Sequence, residues 1–152
     1  MEITNFLTWF LFIAGVIGIG LGVMVRAYIG SGSISILFPE PVLAPPAVLA
    51  ADAEAATQFQ QGVAAFQAGK YRKAVNRFSQ AIQRVSTFAE AYHNRGLAFA
   101  NLRQDDDAAR NLVKAGEGYL EQGNQDAFAT VKQNLEALKA RKQARENRQT
   151  AT

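Results

Sequence analysis

The residues that could do chemistry in this chain are few. Its 152 residues include one histidine, His93, and no cysteine. General bases and nucleophiles are usually histidines, cysteines or carboxylates set in a pocket, and a zinc site needs several ligands at fixed spacing. Neither a zinc-ligand spacing nor a phosphate-binding glycine loop occurs in the sequence. We interpret His93 as a packing or peptide-contacting residue, and we expect no enzyme activity and no cofactor or metal.

Three consecutive carboxylates, Asp105, Asp106 and Asp107, are the strongest candidates for a metal site. Adjacent residues on a helix point in different directions and do not converge on one ion. Carboxylates at the start of a helix do suit the positive end of its dipole. The triplet therefore predicts a helix N-terminus.

A basic surface is predicted in a stretch that contains no acidic residue between Glu54 and Glu90. Its members are Lys70, Arg72, Lys73, Arg77 and Arg84. A second basic cluster ends the chain and comprises Lys139, Arg141, Lys142, Arg145 and Arg148. Both clusters favour an acidic neighbour such as anionic lipid or a membrane complex, and a solvated helix face with a frayed tail is the alternative. Nucleic acid is not expected, because aromatic residues are not interleaved with the basic ones.

A stretch without charge, residues 6–25, is long enough to cross a bilayer as a single helix. Glu2 precedes it and Arg26 follows it, which favours a cytoplasmic C-terminal domain. A secretory signal peptide, cleaved near Ala50, is the alternative. Small residues recur every four positions and predict a packing face for a partner helix: Ala14, Gly18 and Gly22. The alternative is that glycine is merely frequent in membrane helices.

All four prolines lie between this anchor and the rest of the chain, at positions 39, 41, 45 and 46. Proline fixes φ and favours an extended, semi-rigid segment over a helix. The segment is nevertheless apolar, with Glu40 as its one charged residue between positions 34 and 49. Such a segment needs a cover. The bilayer interface, a partner subunit and a groove of the following domain all remain open.

The following domain repeats itself at a spacing of 34 residues. The repeated positions pair Gly62 with Gly96, Ala64 with Ala98, Ala74 with Ala108, Ala81 with Ala115, and Phe78 with Leu112. Two antiparallel helices with their turns fit this period. Small residues opposite large ones allow the helices to approach closely, so the glycines are expected at the closest contacts.

The segments FQQGVAAFQAGKYRKAVNRFSQAI and AYHNRGLAFANLRQDDDAARNLVKA resemble tetratricopeptide (TPR) repeats. The second repeat fits the family pattern through Tyr92, Gly96, Phe99, Ala108, Leu112 and Ala115. The first departs from it, since Gln58 replaces an aromatic residue and Phe66 comes one place late. In the family, ligands lie in a groove lined by the first helix of each repeat. The resemblance places this groove at Phe59, Val63, Phe66, Gln67, His93, Leu97 and Asn101, although Phe59 and Phe66 are equally compatible with the core.

The predicted fold is all-α: an N-terminal transmembrane helix followed by a TPR helix-turn-helix solenoid of two full repeats and a capping helix. Predicted helices span residues 53–68, 71–84, 89–102, 105–121 and 125–142. The predicted divisions are an anchor at 1–28, a proline-containing linker at 29–52, the TPR domain at 53–142 and a basic flexible tail at 143–152. So small a repeat core favours a homodimer or a constant partner.

The layout, with FAEAYHNRGLAFANLRQ in the second repeat, is also similar to the photosystem I assembly TPR proteins of cyanobacteria and plastids. This resemblance implies a non-catalytic, membrane-anchored adaptor that binds protein partners and assists assembly of a membrane complex. Its location would be a thylakoid or plasma membrane. The alternatives are a permanent structural subunit of such a complex and an envelope-side TPR scaffold.

Overall fold

The computed structural model describes residues 36–150 and, before them, Ile13 alone. Within residues 36–150 the chain forms six α-helices and no strand. Their bounds are α1 Pro46–Ala51, α2 Ala53–Gln67, α3 Tyr71–Arg84, α4 Ala89–Asn101, α5 Asp105–Glu121 and α6 Gln125–Thr150. The all-α class is therefore confirmed for the described residues, and α2 to α6 begin where the sequence predicts. Helices α2 and α3 form repeat 1, and α4 and α5 form repeat 2.

Helix α1 was not predicted, because its prolines argued against helix. Pro46 lies at the first helical position, where the missing N–H would have had no partner within the helix. Asp52 then separates α1 from α2 and caps α2 by accepting a hydrogen bond from the Ala55 N–H at 2.8 Å. Pro46 thus starts a short helix.

Three helices end in the same tight turn with one residue at positive φ. The residues are Gly69 at 69°, Arg103 at 64° and Gly123 at 71°. In each turn the next N–H bonds back to the carbonyl five residues earlier, for example from Gln104 to Phe99 at 2.9 Å. Gly69 and Arg103 are 34 residues apart, so repeat 2 has an arginine where the left-handed conformation favours glycine.

Each repeat is closed by contact between a glycine of its first helix and a large side chain of its second. A Cβ built on Gly62 would lie 2.5 Å from the Phe78 ring, and one on Gly96 would lie 3.0 Å from Leu112. Phe78 and Leu112 are both fully buried. The predicted close contacts at the repeated glycines are therefore present in both repeats.

The core continues across the repeats through aromatic side chains. The Phe59 ring stacks on Phe88 with centroids 4.8 Å apart and meets Phe78 at 5.6 Å. Phe66 contacts Tyr71 edge to face at 5.1 Å. These contacts join α2 to α3 and to the residue that precedes α4.

Helix α6 covers the outer side of repeat 2. Its predicted apolar stripe is present, because Val131 and Leu138 are buried and Phe128 and Leu135 are half-buried. The helix continues to Thr150, whereas the sequence predicted its end near residue 142 and a flexible tail at 143–152. Arg145 lies in this extension and bonds to Asp105, which gives the additional turns a tertiary contact.

Apart from Ile13, the predicted membrane anchor, residues 6–25, lies outside the described residues, as do Ala14, Gly18 and Gly22 of its packing face. Among the helices between residues 36 and 150, none combines the length and apolar character that a bilayer crossing requires.

The glycine contacts can be tested by adding one methyl group. We expect Gly62→Ala to destabilise the protein by about 1–3 kcal/mol, because the methyl overlaps the buried Phe78 ring. Gly116→Ala is the matched control: its Cβ would meet neighbours at 3.5 Å, an ordinary contact. It should be neutral or stabilising by up to about 1 kcal/mol. Urea unfolding of both variants measures the difference, and equal stabilities would contradict the close-packing interpretation.

Candidate functional site

A segment without regular secondary structure, residues 36–44, is hydrogen-bonded to helix α4, and we call it the strap. The chain bends at Leu37 and at Glu40. Phe38 anchors it, since this side chain is only 9% exposed and belongs to the hydrophobic core. Leu37, Val42 and Ala44 pack on the same core and are half-buried, whereas Pro39 and Glu40 face solvent. The strap therefore contacts the repeats through an apolar side and exposes its one charged residue.

Two asparagines of α4, the asparagine clamp, hold the strap by its backbone. Asn94 Oδ1 accepts a hydrogen bond from the Val42 N–H at 2.6 Å, and Asn94 Nδ2 donates to the Val42 carbonyl at 2.7 Å. Asn101 Oδ1 accepts from the Leu37 and Phe38 N–H groups, both at 3.1 Å, and its Nδ2 donates to the Phe38 carbonyl at 2.7 Å. Each amide thus binds both polar groups of one strap residue.

The position of the strap shows which surface contacts the described part of the apolar linker. Of the three covers left open, bilayer interface, partner subunit and own groove, residues 36–44 occupy the third. The compact unit accordingly starts at Ile36, whereas the sequence placed residues 29–52 in a linker and began the TPR domain at residue 53. The backbone bonds to Asn94 and Asn101, 52 and 63 residues away, account for this difference.

The residues predicted to line the groove lie in different environments. Phe59, Phe66 and Leu97 are at most 2% exposed and are part of the core, so their side chains are not accessible in this structure. Val63 is half-buried and Gln67 is exposed. His93 is buried and contacts α5 and α6. Asn101 of the predicted set is hydrogen-bonded to the strap.

Asn94 is the site residue that sequence reasoning missed. It is fully buried beneath the strap, and its amide has a partner at both ends. The available signal was its spacing of seven residues from Asn101, which is about two helical turns and puts both amides on one face of α4. An asparagine pair at this spacing on a first repeat helix predicts a backbone-binding face.

His93 joins three helices through a buried polar cluster. Its Nδ1 lies 3.3 Å from the Tyr119 hydroxyl of α5, and its Nε2 lies 2.8 Å from Nδ2 of Asn134 in α6. A neutral imidazole satisfies both contacts when Nε2 accepts from the amide and Nδ1–H donates to the hydroxyl oxygen. Burial lowers the pKa of His93 to about 4. The ring is therefore uncharged near neutral pH and acts as a fixed hydrogen-bonding link.

Glu90 lies one turn before Asn94 and is also buried, at 2% exposure. Its Oε2 has no hydrogen-bond partner, and burial raises the pKa of its carboxyl group. Burial, together with the charge of Glu90, likewise raises the pKa of Tyr119. Glu90 and His93 are not joined by a third ligand, because among residues 36–150 no three histidine, aspartate or glutamate side chains converge on a metal-sized site.

The predicted basic surface divides into free and paired residues. Lys70, Arg72 and Lys73 are exposed at the start of α3. Arg77 donates to Gln58 at 2.8 Å, and Arg84 forms ion pairs of 3.4 Å with Asp52 and Glu54. The cationic surface is therefore concentrated in its first three members.

The C-terminal basic cluster has its acidic neighbour within the chain. Arg141 and Arg145 pair with Asp105, the latter at 3.0 Å, and Lys142 lies 3.7 Å from Asp106. Asp105 and Arg141 are each 9% exposed, and burial lowers the pKa of the guanidinium. Asp107 pairs instead with Arg110 of its own helix at 2.5 Å. The aspartate triplet thus begins α5, as predicted, and also fixes α6.

A family model of the TPR repeat matches residues 62–102, from within α2 to the end of α4. No curated protein matches the sequence. The family match supports the TPR family for this chain, and it includes both residues of the asparagine clamp. It also supports a protein-interaction adaptor or scaffold as the general function. TPR proteins are generally non-catalytic scaffolds.

The buried histidine predicts a loss of stability in mild acid. The folded-state pKa of about 4 is below the ordinary 6.5, so the unfolded chain binds the extra proton first. The contribution of neutral His93 to the free energy of unfolding is fully present above pH 6.5. It falls by roughly 3 kcal/mol as the pH drops towards 4. Glu90 has the opposite effect on the pH dependence of stability: because its pKa is raised in the folded state, its contribution to stability increases as the pH falls. Urea unfolding at several pH values should show a smaller loss for His93→Gln, and an identical pH dependence would contradict the assignment.

The buried ion pair predicts unequal effects of two neighbouring substitutions. Asp105→Asn leaves the Arg141 charge buried without a carboxylate, and we expect a cost of about 3–5 kcal/mol. Asp106→Asn is the control: its side chain is 82% exposed and its pair with Lys142 is long, so the cost should stay below about 1 kcal/mol. Thermal unfolding of the two variants provides the comparison. Similar melting temperatures would mean that Asp105 does not hold α6.

Proposed function

Taking the TPR repeat as the premise, we propose that this protein is a non-catalytic, membrane-anchored adaptor that assists assembly of a membrane complex, which the resemblance suggests is a photosynthetic one. The observation that carries the interaction role is the asparagine clamp, which holds a non-helical backbone through five hydrogen bonds on one helix of a repeat. A surface that binds backbone amides suits recognition of a non-helical protein segment.

The membrane part of the proposal rests on the uncharged residues 6–25, which are long enough to span a bilayer. Arg26 after this stretch favours a cytoplasmic TPR domain. The exposed cations Lys70, Arg72 and Lys73 suit an acidic surface of the complex or anionic lipid beside it. We expect no cofactor and no nucleic acid.

An assembly factor is favoured over a permanent subunit by the strap. A permanent subunit would use both the apolar linker and the glycine face of the anchor as fixed interfaces. Phe38, Leu37 and Val42 of the linker pack on the protein's own repeats, whereas Ile36 and Leu43 are exposed. The argument for a permanent interface is thereby reduced to these two exposed residues and to Ala14, Gly18 and Gly22.

The test is a pulldown of tagged full-length protein in a gentle detergent, resolved on a native gel. We expect a membrane complex in sub-stoichiometric amount, enriched in newly synthesised material. Lys70→Gln with Lys73→Gln should weaken the association severalfold, because both side chains are exposed cations. Lys132→Gln with Lys139→Gln is the matched control, since it removes the same charge from exposed positions of α6.

Other outcomes would redirect the proposal. Equal stoichiometry with the mature complex would identify a permanent subunit. If the protein is found in the soluble fraction without detergent, the prediction of a membrane anchor is contradicted. Equal loss of binding in both lysine pairs would show that total charge matters and that the α3 surface does not.

A further inference from the structure

We propose that the clamp face of α4 is a receptor for a non-helical, proline-containing apolar segment of a partner protein, and that the strap occupies it as a built-in competitor. The inference rests on the proposed adaptor function and specifies the partner of its groove. Asn94 and Asn101 are the binding residues, and the strap shows by its own contacts the chemistry that they accept.

The clamp binds two strap residues that are four positions apart. Asn94 and Asn101 lie seven residues apart on α4, which is about two helical turns. Because Asn94 binds Val42 and Asn101 binds Phe38, the ligand runs antiparallel to α4. Pro39 and Pro41 lie between the two bound residues, and each fixes φ and has no N–H group that would need an acceptor.

Side-chain selectivity is concentrated at the two bound residues. Phe38 enters the core and Val42 is half-buried, whereas Pro39 and Glu40 between them are exposed. A partner segment therefore needs a large apolar residue, best an aromatic one, and an aliphatic residue four positions later. Pro41, directly before Val42, is half-buried, so a proline suits that position of the partner, and the two exposed positions can vary.

The face favours a neutral ligand over a chain terminus or a phosphate. Asn94 and Asn101 are uncharged, and the one arginine of α4, Arg95, donates to Asn111 at 2.7 Å and Ser79 at 3.0 Å. His93 is neutral and bonds to α5 and α6. The hydrogen bonds go to backbone groups that any internal segment carries, so the partner contributes an internal stretch of chain.

The strap is placed to leave without unfolding the repeats. Apart from Phe38 its residues are half-buried or exposed, and the connecting helix α1 contains no buried residue. Departure would expose the two amides to water, which satisfies them. While attached, the strap competes at an effective concentration on the order of millimolar, so a partner binds only when its segment fits better or when it has a second contact.

The experiment uses the full-length protein in detergent and a fluorescent peptide with the sequence of residues 36–44, ILFPEPVLA. The wild-type protein should bind it with an apparent Kd near or above about 1 mM, because the strap is in place. Phe38→Ala with Val42→Ala weakens the strap and should bind the peptide at least tenfold more tightly. Adding Asn101→Ala should abolish this gain. Adding Asn76→Ala, an exposed asparagine of α3, is the matched control and should leave it unchanged.

Hydrogen exchange of the unaltered protein tests the same proposal without opening the strap by mutation. The Phe38 and Val42 amides should exchange through local opening, far faster than the amide of core Leu112. Protection equal to that of Leu112, or no tighter peptide binding in the opened variant, would overturn the proposal. So would a concentration-dependent doubling of mass that Asn101→Ala abolishes, since the occupant would then be a second copy. If Asn101→Ala captures a partner as well as the wild-type protein does, the clamp is not the binding site, but the adaptor function is not contradicted.

Discussion

The close approach of two helices at a glycine is the contact on which the rest of this structure depends. At Gly62 and Gly96 the missing side chains let Phe78 and Leu112 reach the backbone of the neighbouring helix. Each repeat thereby becomes a tight pair with large side chains buried inside it. The remaining faces of α2 and α4 are left for contacts between repeats and with other segments, and the clamp lies on one of them.

Two repeats make a small core, and the molecule covers it from both sides with its own chain. The strap contributes Phe38 on one face of α4, and α6 contributes Val131 and Leu138 beside α5. The two covers differ in physical character. Helix α6 is fixed by buried apolar residues, a histidine link and a buried ion pair, whereas the strap has one buried side chain and five backbone hydrogen bonds. Because the strap is held less firmly than α6, the face of α4 beneath the strap is the part of the surface where one bound segment can replace another.

Several of the charged side chains pair with one another within the molecule, which the composition does not indicate. The net charge of +3 and the basic C-terminus suggest attraction to an external acidic surface. Asp105 and Asp106 instead meet Arg141, Lys142 and Arg145, so the end of the chain is largely neutralised. Lys70, Arg72 and Lys73 retain their charge for a partner. An electrostatic contact with a membrane complex would therefore begin at repeat 1.

The sequence by itself determined the elements that depend on local pattern and on the repeat. The 34-residue spacing, the turn residues and the apolar stripe of the last helix predicted the starts of five helices, and the glycines predicted the closest contacts. These features follow from helix geometry and residue size, which are legible along the chain.

Only the tertiary structure decided which surface the apolar linker covers, that Asn94 is a site residue, and that Phe59 and Phe66 are core. Each of these depends on segments far apart in sequence: the strap bonds to residues more than 50 positions away. Hydrophobicity reveals that a segment needs burial, but it does not specify the partner, because dispersion and apolar burial have no direction. The backbone hydrogen bonds of Asn94 and Asn101 supply that direction, and they exist only once α4 and the strap are side by side.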